Sequence, residues 1–340
     1  MDDESLSAQP DESQPPVVGI SADGSGPLPR IIAALAPSLG PLAAEPAALE
    51  GGITNRNFRA RLGDRDYVIR VPGKDTSLLE IDRVAEMRAN EIAAGIGIAP
   101  PVAARLEDPP CLVTEFIEAR EMSSEELRAP GAIAAVAAAL RSFHDSGESI
   151  PADFDSFRLI ETYAVTATER GAEIPPSFTE AHAAAARIEE ALSGPEHDPV
   201  PCHNDLLAAN FLDDGERIRI VDWEYAGMGD RYFDLANFAV NNGLDEERQE
   251  GLLSTYFGER PPASRLAAED PRAGERLAAL RLMMFMSDFR EAMWGVVQGA
   301  VSELDFDFSD YAEKHFSRLR DAAADPRFSQ WLEEARGAPG

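Results

Sequence analysis

The stretch His203-Asn204-Asp205-Leu206-Leu207-Ala208-Ala209-Asn210, followed by Ile220-Val221-Asp222, decides how this chain is read. An apolar run, Pro199-Val200-Pro201-Cys202, feeds a loop that carries Asp205 and Asn210. A second β-like run over residues 217–221 then ends on Asp222. Two carboxylates and one amide therefore arrive at a single edge. Moving a phosphoryl group from a nucleotide needs that set: a carboxylate beside the acceptor hydroxyl, and an Asn and an Asp to hold Mg²⁺ on the phosphates. Asp and Asn are also ordinary turn residues. The weight comes from context, because a strand-like run ending on Asp222 follows the loop at the expected distance.

Composition bounds the rest. At 340 residues the chain can build two modest lobes with a full core. No apolar run is long enough to span a bilayer. The start, Met1-Asp2-Asp3-Glu4, is acidic where a signal peptide is basic and then apolar, so a cytoplasmic protein without membrane insertion is expected. Cys111 and Cys202 sit in apolar stretches and read as small buried hydrophobes. The histidines show no metal-ligand spacing. Formal charge is −30, from 31 basic and 61 acidic residues, and the only lysines are Lys74 and Lys314. Such a surface repels nucleic acid and suits a cationic small molecule, although solvation of the surface explains most of it. A homodimer is left open.

Along the chain, residues 1–29 are rich in Asp, Glu, Ser, Pro and Gly and predict a disordered acidic tail. A short apolar helix follows over 30–36. Residues 49–62 and 66–71 read as strands, with Gly63-Asp64 as a turn. Residues 78–95 predict a helix from Leu79, Val84, Met87 and Ile92, ended by Gly95 and Gly97. Residues 102–106 and 111–116 complete a small sheet. Beyond Glu118, Ser123 or Ser124 can cap a helix, an Ala-rich helix runs over 129–144, and helical patterns return at 157–170, 178–192 and from 233 onward. The outcome is α+β: a small β-rich lobe linked to a larger, mostly helical one.

Two further constellations lie in the first half. Gly51-Gly52-Ile53-Thr54-Asn55-Arg56-Asn57-Phe58 is a polar loop between strands whose backbone N–H groups could approach phosphates, and it is not a Walker loop. Tyr67-Val68-Ile69-Arg70-Val71 is an alternating strand that carries a cation. Glu91 on the following helix is the expected partner of Arg70, with Glu86 the competitor. His144 reads as a packed structural histidine, and His203 as a residue that orients its loop.

The strings Cys202 to Phe211, Ile220 to Asp230 and Phe233-Asp234-Leu235-Ala236-Asn237 closely resemble the choline/ethanolamine kinase family. That family belongs to the aminoglycoside-phosphotransferase-like branch of the protein-kinase-like two-lobe fold. The resemblance runs from about Leu49 to Leu319, and the Asp222-Trp223-Glu224-Tyr225 block is its most specific part. It implies a nucleotide-binding lobe over 30–117 and a catalytic and substrate-binding lobe over 118–340. It further implies ATP- and Mg²⁺-dependent phosphorylation of a hydroxyl on a small cationic amino alcohol, choline first, with ethanolamine, an aminoglycoside or thiamine as alternatives. Asp205 would orient and deprotonate the hydroxyl, and Asn210 and Asp222 would carry Mg²⁺. Gly52, Thr54, Asn55, Asn57 and Arg70 would hold the phosphates, with Glu91 in the ATP site as the partner of Arg70, and the strand at Glu115 and Ile117 would meet the adenine. Tyr225, Trp294, Phe308 and Tyr311 would cage the ammonium. Glu224 and Glu291 would add charge, Glu291 standing where animal members often have a second Trp. A binding protein without turnover is the alternative of another class, and the presence of Asp205, Asn210 and Asp222 together argues against it.

Overall fold

The computed structural model describes residues 27–49, 55–73, 79–107, 110–258, 272–302 and 304–336. Residues 1–26 of the tail expected over 1–29, and the loop residues Gly51, Gly52, Ile53 and Thr54, lie outside the described residues, whereas residues 28 and 29, expected in that tail, begin the first helix. Helix α1 (Leu28–Leu39) precedes strands β1 (Ala47–Leu49), β2 (Asn55–Leu62) and β3 (Arg65–Pro72). Helix α2 (Arg83–Gly95) and strands β4 (Val102–Glu107) and β5 (Pro110–Glu115) follow. The five strands form one antiparallel sheet in the order β1-β2-β3-β5-β4. Period-2 alternation sends Phe58, Ala60 and Leu62 of β2 and Tyr67, Ile69 and Val71 of β3 into a core closed by Ile31 and Leu35 of α1. The register pairs Asn57 with Arg70 and Arg70 with Leu112. These residues therefore share the opposite face. The β2–β3 turn is the expected Gly63-Asp64 pair, and Gly63 sits at φ +60°, which a tight two-residue hairpin asks of its first residue.

Helix α2 starts five residues later than its apolar pattern suggests. Asp82 accepts hydrogen bonds from the N–H groups of Val84 (2.8 Å) and Ala85 (3.0 Å) and so fixes the first turn. Residue 78 lies outside the described residues. The buried stripe of α2 is Ala85, Ala89, Ile92 and Ala93, whereas Val84 is 64% exposed.

The chain then runs through β6 (Arg120–Glu121), α3 (Ser124–Leu127), α4 (Pro130–His144), α5 (Ser156–Glu169) and α6 (Ser177–Ala191). Short strands β7 (Val200–Cys202), β8 (Phe211–Asp213), β9 (Ile218–Ile220) and β10 (Gly227–Gly229) come next. Helices α7 (Arg231–Asn241), α8 (Glu246–Phe257), α9 (Ala273–Val301), α10 (Phe308–Ala324) and α11 (Phe328–Ala335) complete the described chain. Ser123 caps α3 in a reciprocal capping box with Glu126. Small sheets β10-β7 and β6-β8-β9 frame the loops 203–210 and 221–226. Helix α9 is the central beam: its 29 residues span about 44 Å at the helical rise. It is buried nearly all round from Ala278 to Gln298 because α5, α7, α10 and α11 pack against it. No helix among the described residues is long and apolar enough to cross a membrane.

Candidate active site

The loop after β7 is held from below by the first turns of α7. Asp234 accepts from the N–H groups of His203 (2.8 Å) and Asn204 (2.6 Å), and His144 Nε2 lies 3.0 Å from the same carboxylate. Asn237 Oδ1 accepts from the Leu206 N–H, and Asn242 Nδ2 donates to the Leu206 carbonyl at 3.2 Å. Asn204 Nδ2 donates to the Tyr225 carbonyl (3.0 Å) and ties the two halves of the site together. His203 takes the orienting role expected of it. Its Nδ1 accepts from the Asp205 N–H (3.2 Å), so Nε2 carries the proton and donates to the Val221 carbonyl (3.0 Å). Burial holds this imidazole below its usual range. Asn204 and Asp222 both adopt φ +67°, a conformation that Asn and Asp tolerate better than other side chains. His144, Cys202 and Asp234 gather closely enough for a metal to be considered. Their atoms are otherwise engaged: His144 Nδ1 lies 2.7 Å from the Tyr256 hydroxyl, and burial raises the Cys202 thiol well above its normal value.

Asp205, Asn210 and Asp222 come together above this scaffold. Asn210 Nδ2 donates to the Asp205 carbonyl at 2.8 Å, and its own carbonyl accepts from the Val221 N–H at 3.0 Å. That second bond places Asp222 next to it. Burial pushes the Asp205 carboxyl up to about 7, against the opposing pull of the Arg290 guanidinium. A group poised there can accept a proton near neutrality. With its Nδ2 committed, Asn210 has its amide oxygen left for a cation. That oxygen and the Asp222 carboxylate are hard donors of the kind Mg²⁺ takes.

On the sheet side, Arg70 Nη2 contacts Asp222 Oδ1, and Arg70 Nε lies 2.7 Å from Glu86 Oε1. Burial works against the Arg70 charge, but Asp222, Glu86 and Glu224 outweigh it and hold the guanidinium firmly protonated. Glu86, not Glu91, is therefore the partner. Five residues further along α2 the helix has turned about 140° past it. Glu91 points outward, where it meets Arg88 (3.7 Å) and Arg105 (3.6 Å). Glu224 also departs from expectation. It accepts from Asn55 Nδ2 (2.6 Å) and lies 3.5 Å from Arg70 and 3.6 Å from Arg83, so it joins the Arg70 group rather than the aromatic cluster. Arg83 is braced by Glu86 at 2.6 Å. At the end of β5, the Glu115 side chain faces Arg65 (3.2 Å) on the surface and its N–H is taken by the Pro101 carbonyl. Ile117, two residues further along, is half-buried.

At the other end, helices α9 and α10 bring the aromatic residues together. Trp294 Nε1 donates to the Tyr225 hydroxyl at 3.2 Å, and its ring meets Phe308 (5.9 Å) and Tyr311 (5.7 Å) edge to face. The Tyr311 hydroxyl donates to Glu291 Oε2 at 2.7 Å. Burial opposes the Glu291 charge, but Arg290, His315 and Tyr311 overcome it and keep the carboxyl below its usual range. Sequence reasoning missed Arg290, which is 2% exposed. Its Nη1 lies 3.1 Å from Asp205 Oδ1 and contacts Glu291 Oε1, and its guanidinium carbon sits 4.3 Å over the Tyr225 ring. A signal exists in the chain: Arg290-Glu291 is a charged pair inside an apolar helix, and buried charges need partners.

A family model for choline/ethanolamine kinase matches residues 47–319. Ethanolamine kinase 2 of Rattus norvegicus is 28% identical over 334 residues, covering 91% of this chain and 85% of the relative. A crystal structure of a choline/ethanolamine kinase family protein from Mesorhizobium loti superposes with a TM-score of 0.75 at 31% identity, covering 92% of this chain and 99% of the other. The choline kinase LicA from Streptococcus pneumoniae superposes with a TM-score of 0.70 at 25% identity, covering 88% and 99%.

Proposed function

The chain belongs to the choline/ethanolamine kinase family, phosphotransferases that act on an alcohol group, and from that premise we propose that it moves the γ-phosphoryl group of ATP to the hydroxyl of a small amino alcohol. The observation that carries this reading is the meeting of Asp205, Asn210 and Asp222 at one edge, with a buried arginine on one side and an aromatic cluster on the other. On this reading residues 30–117 form the nucleotide-binding lobe and 118–340 the catalytic and acceptor-binding lobe.

Asp205 orients the acceptor hydroxyl and takes its proton. Asn210 and Asp222 would hold Mg²⁺, which would neutralise charge on the phosphates. Arg70, kept charged by its carboxylates, turns toward the phosphates, and Asn55 and Asn57 share its face of the sheet. Gly52 and Thr54, which lie outside the described residues, keep the phosphate-binding role that the resemblance implies, and the chain at Glu115 and Ile117 meets the adenine. Most of the acceleration then comes from positioning and fixed charge.

Choline, the first acceptor suggested by the sequence, suits the Trp294, Tyr225, Phe308 and Tyr311 rings, because a quaternary ammonium binds aromatic faces. Glu291 and the Tyr311 hydroxyl favour a second reading, ethanolamine, whose ammonium donates hydrogen bonds.

The test is ATP turnover with Mg²⁺ against choline, ethanolamine, thiamine and an aminoglycoside. Turnover is expected with one or both of the first two. Asp205→Asn should lower kcat by roughly 10²–10⁴-fold with the melting temperature held. Full activity in that variant would refute the role given to Asp205.

A further inference from the structure

Arg290 lies among the residues assigned above to the acceptor's ammonium. Its guanidinium lies over the face of Tyr225 and its Nη1 holds one oxygen of Glu291, so both groups are already engaged by a cation. The residue is wedged in a helix buried on all sides. It does not swing out without leaving Asp205 and Glu291 as unpaired buried charges, which is strongly unfavourable. Counting Asp205, Glu291 and Arg290, this end keeps one net negative charge, so it still calls for one cation of limited size.

We infer that Arg290 is a specificity-determining residue that selects a primary ammonium over a quaternary one, an inference that rests on the amino-alcohol reading above. A primary ammonium is compact and can donate to Glu291 and to the Tyr225 and Tyr311 hydroxyls. A trimethylammonium donates nothing and depends on aromatic faces, one of which is covered by a like charge. A second observation points the same way. Arg290 Nε and Nη2 are buried and have no acceptor among the described residues. Methyl groups pressed against them offer none, whereas a smaller headgroup leaves room for a water oxygen.

The experiment compares kcat/KM for ethanolamine, its N-methyl and N,N-dimethyl derivatives, and choline, in the wild type, Arg290→Met and Arg290→Lys. In the wild type kcat/KM should fall with each added methyl. Arg290→Met removes the charge and should raise the choline-to-ethanolamine ratio by about 30-fold, the size of a single desolvated cation–π interaction between the ammonium and the uncovered Tyr225 face. Arg290→Lys keeps a cation in place and should preserve the wild-type order. The ratio cancels any general effect on Asp205 or on packing. A wild type whose kcat/KM rises with methylation, or a ratio in Arg290→Met equal to wild type, overturns the assignment of Arg290 alone. Failure of the wild type to phosphorylate any member of the series overturns the amino-alcohol reading and this inference with it.

Discussion

Asp234 touches neither a phosphate nor an acceptor in the proposed assignment, yet the geometry of Asp205 depends on it. Its carboxylate is the acceptor for two consecutive backbone amides, those of His203 and Asn204, in a fully buried setting. Replacing it by Ala strands both amides. At about 1–3 kcal/mol for each buried unsatisfied donor, Asp234→Ala should lose roughly 2–6 kcal/mol of stability. Asp234→Asn keeps one acceptor oxygen and should lose less. Urea unfolding of the two variants gives the comparison, and a wild-type midpoint for Asp234→Ala would mean that the loop holds itself. Arg290 and Glu86 are the same kind of residue read from the other direction, charges placed where water does not reach. The catalytic loop was legible because its few polar side chains stand in a fixed pattern between apolar strands. Arg290 was not, because its partners Asp205 and Tyr225 are distant in sequence and are brought to it only by packing.

At the level of elements, α2 separates what a sequence pattern reveals from what it hides. Of Leu79, Val84, Met87 and Ile92, only Ile92 belongs to the buried stripe of the helix: Leu79 is buried but precedes the helix, and Val84 is exposed. The true stripe is made largely of alanines, which carry little hydrophobic signal, so the inward side of α2 that also carries Glu86 is hard to read from the sequence. The strands β2 and β3 were easier, because large side chains alternate at period 2 on either side of a Gly-Asp turn. The start of α2 rests on one side chain, Asp82. Asp82→Ala should cost about 1 kcal/mol, as loss of an N-cap typically does, and urea unfolding measures it. Because the first turn carries Arg83 and Glu86, the same variant should raise the KM for ATP more than the KM for the acceptor. An equal rise in both would detach α2 from the phosphate side.

For the molecule as a whole, charge and core act in opposite directions. The 31 basic residues can at most pair with as many of the 61 acidic ones, so 30 negative charges remain in excess. Exposed pairs such as Arg158–Glu161 contribute little each. Self-repulsion therefore dominates the surface, and screening should stabilise the protein. Raising NaCl from about 0.01 M to about 1 M shortens the screening length from roughly 30 Å to 3 Å and should raise the melting temperature. A flat or falling melting temperature would mean that local ion pairs outweigh the net charge. The interior divides unevenly: the sheet keeps a core of its own, while the buried side of α2 belongs to the large helical cluster. Helix α9 lies at the centre of that cluster and carries Arg290, Glu291 and Trp294 within little more than one turn. The apparatus assigned to phosphate transfer lies elsewhere, on the 203–222 segment and the sheet. On the proposed assignment, the helix that carries most of the acceptor-recognition residues is a separate stretch of chain from the transfer residues, with Tyr225 the exception. A lineage can change its acceptor by drift at a few neighbouring codons of one helix, while selection on the transfer step leaves the other stretch untouched.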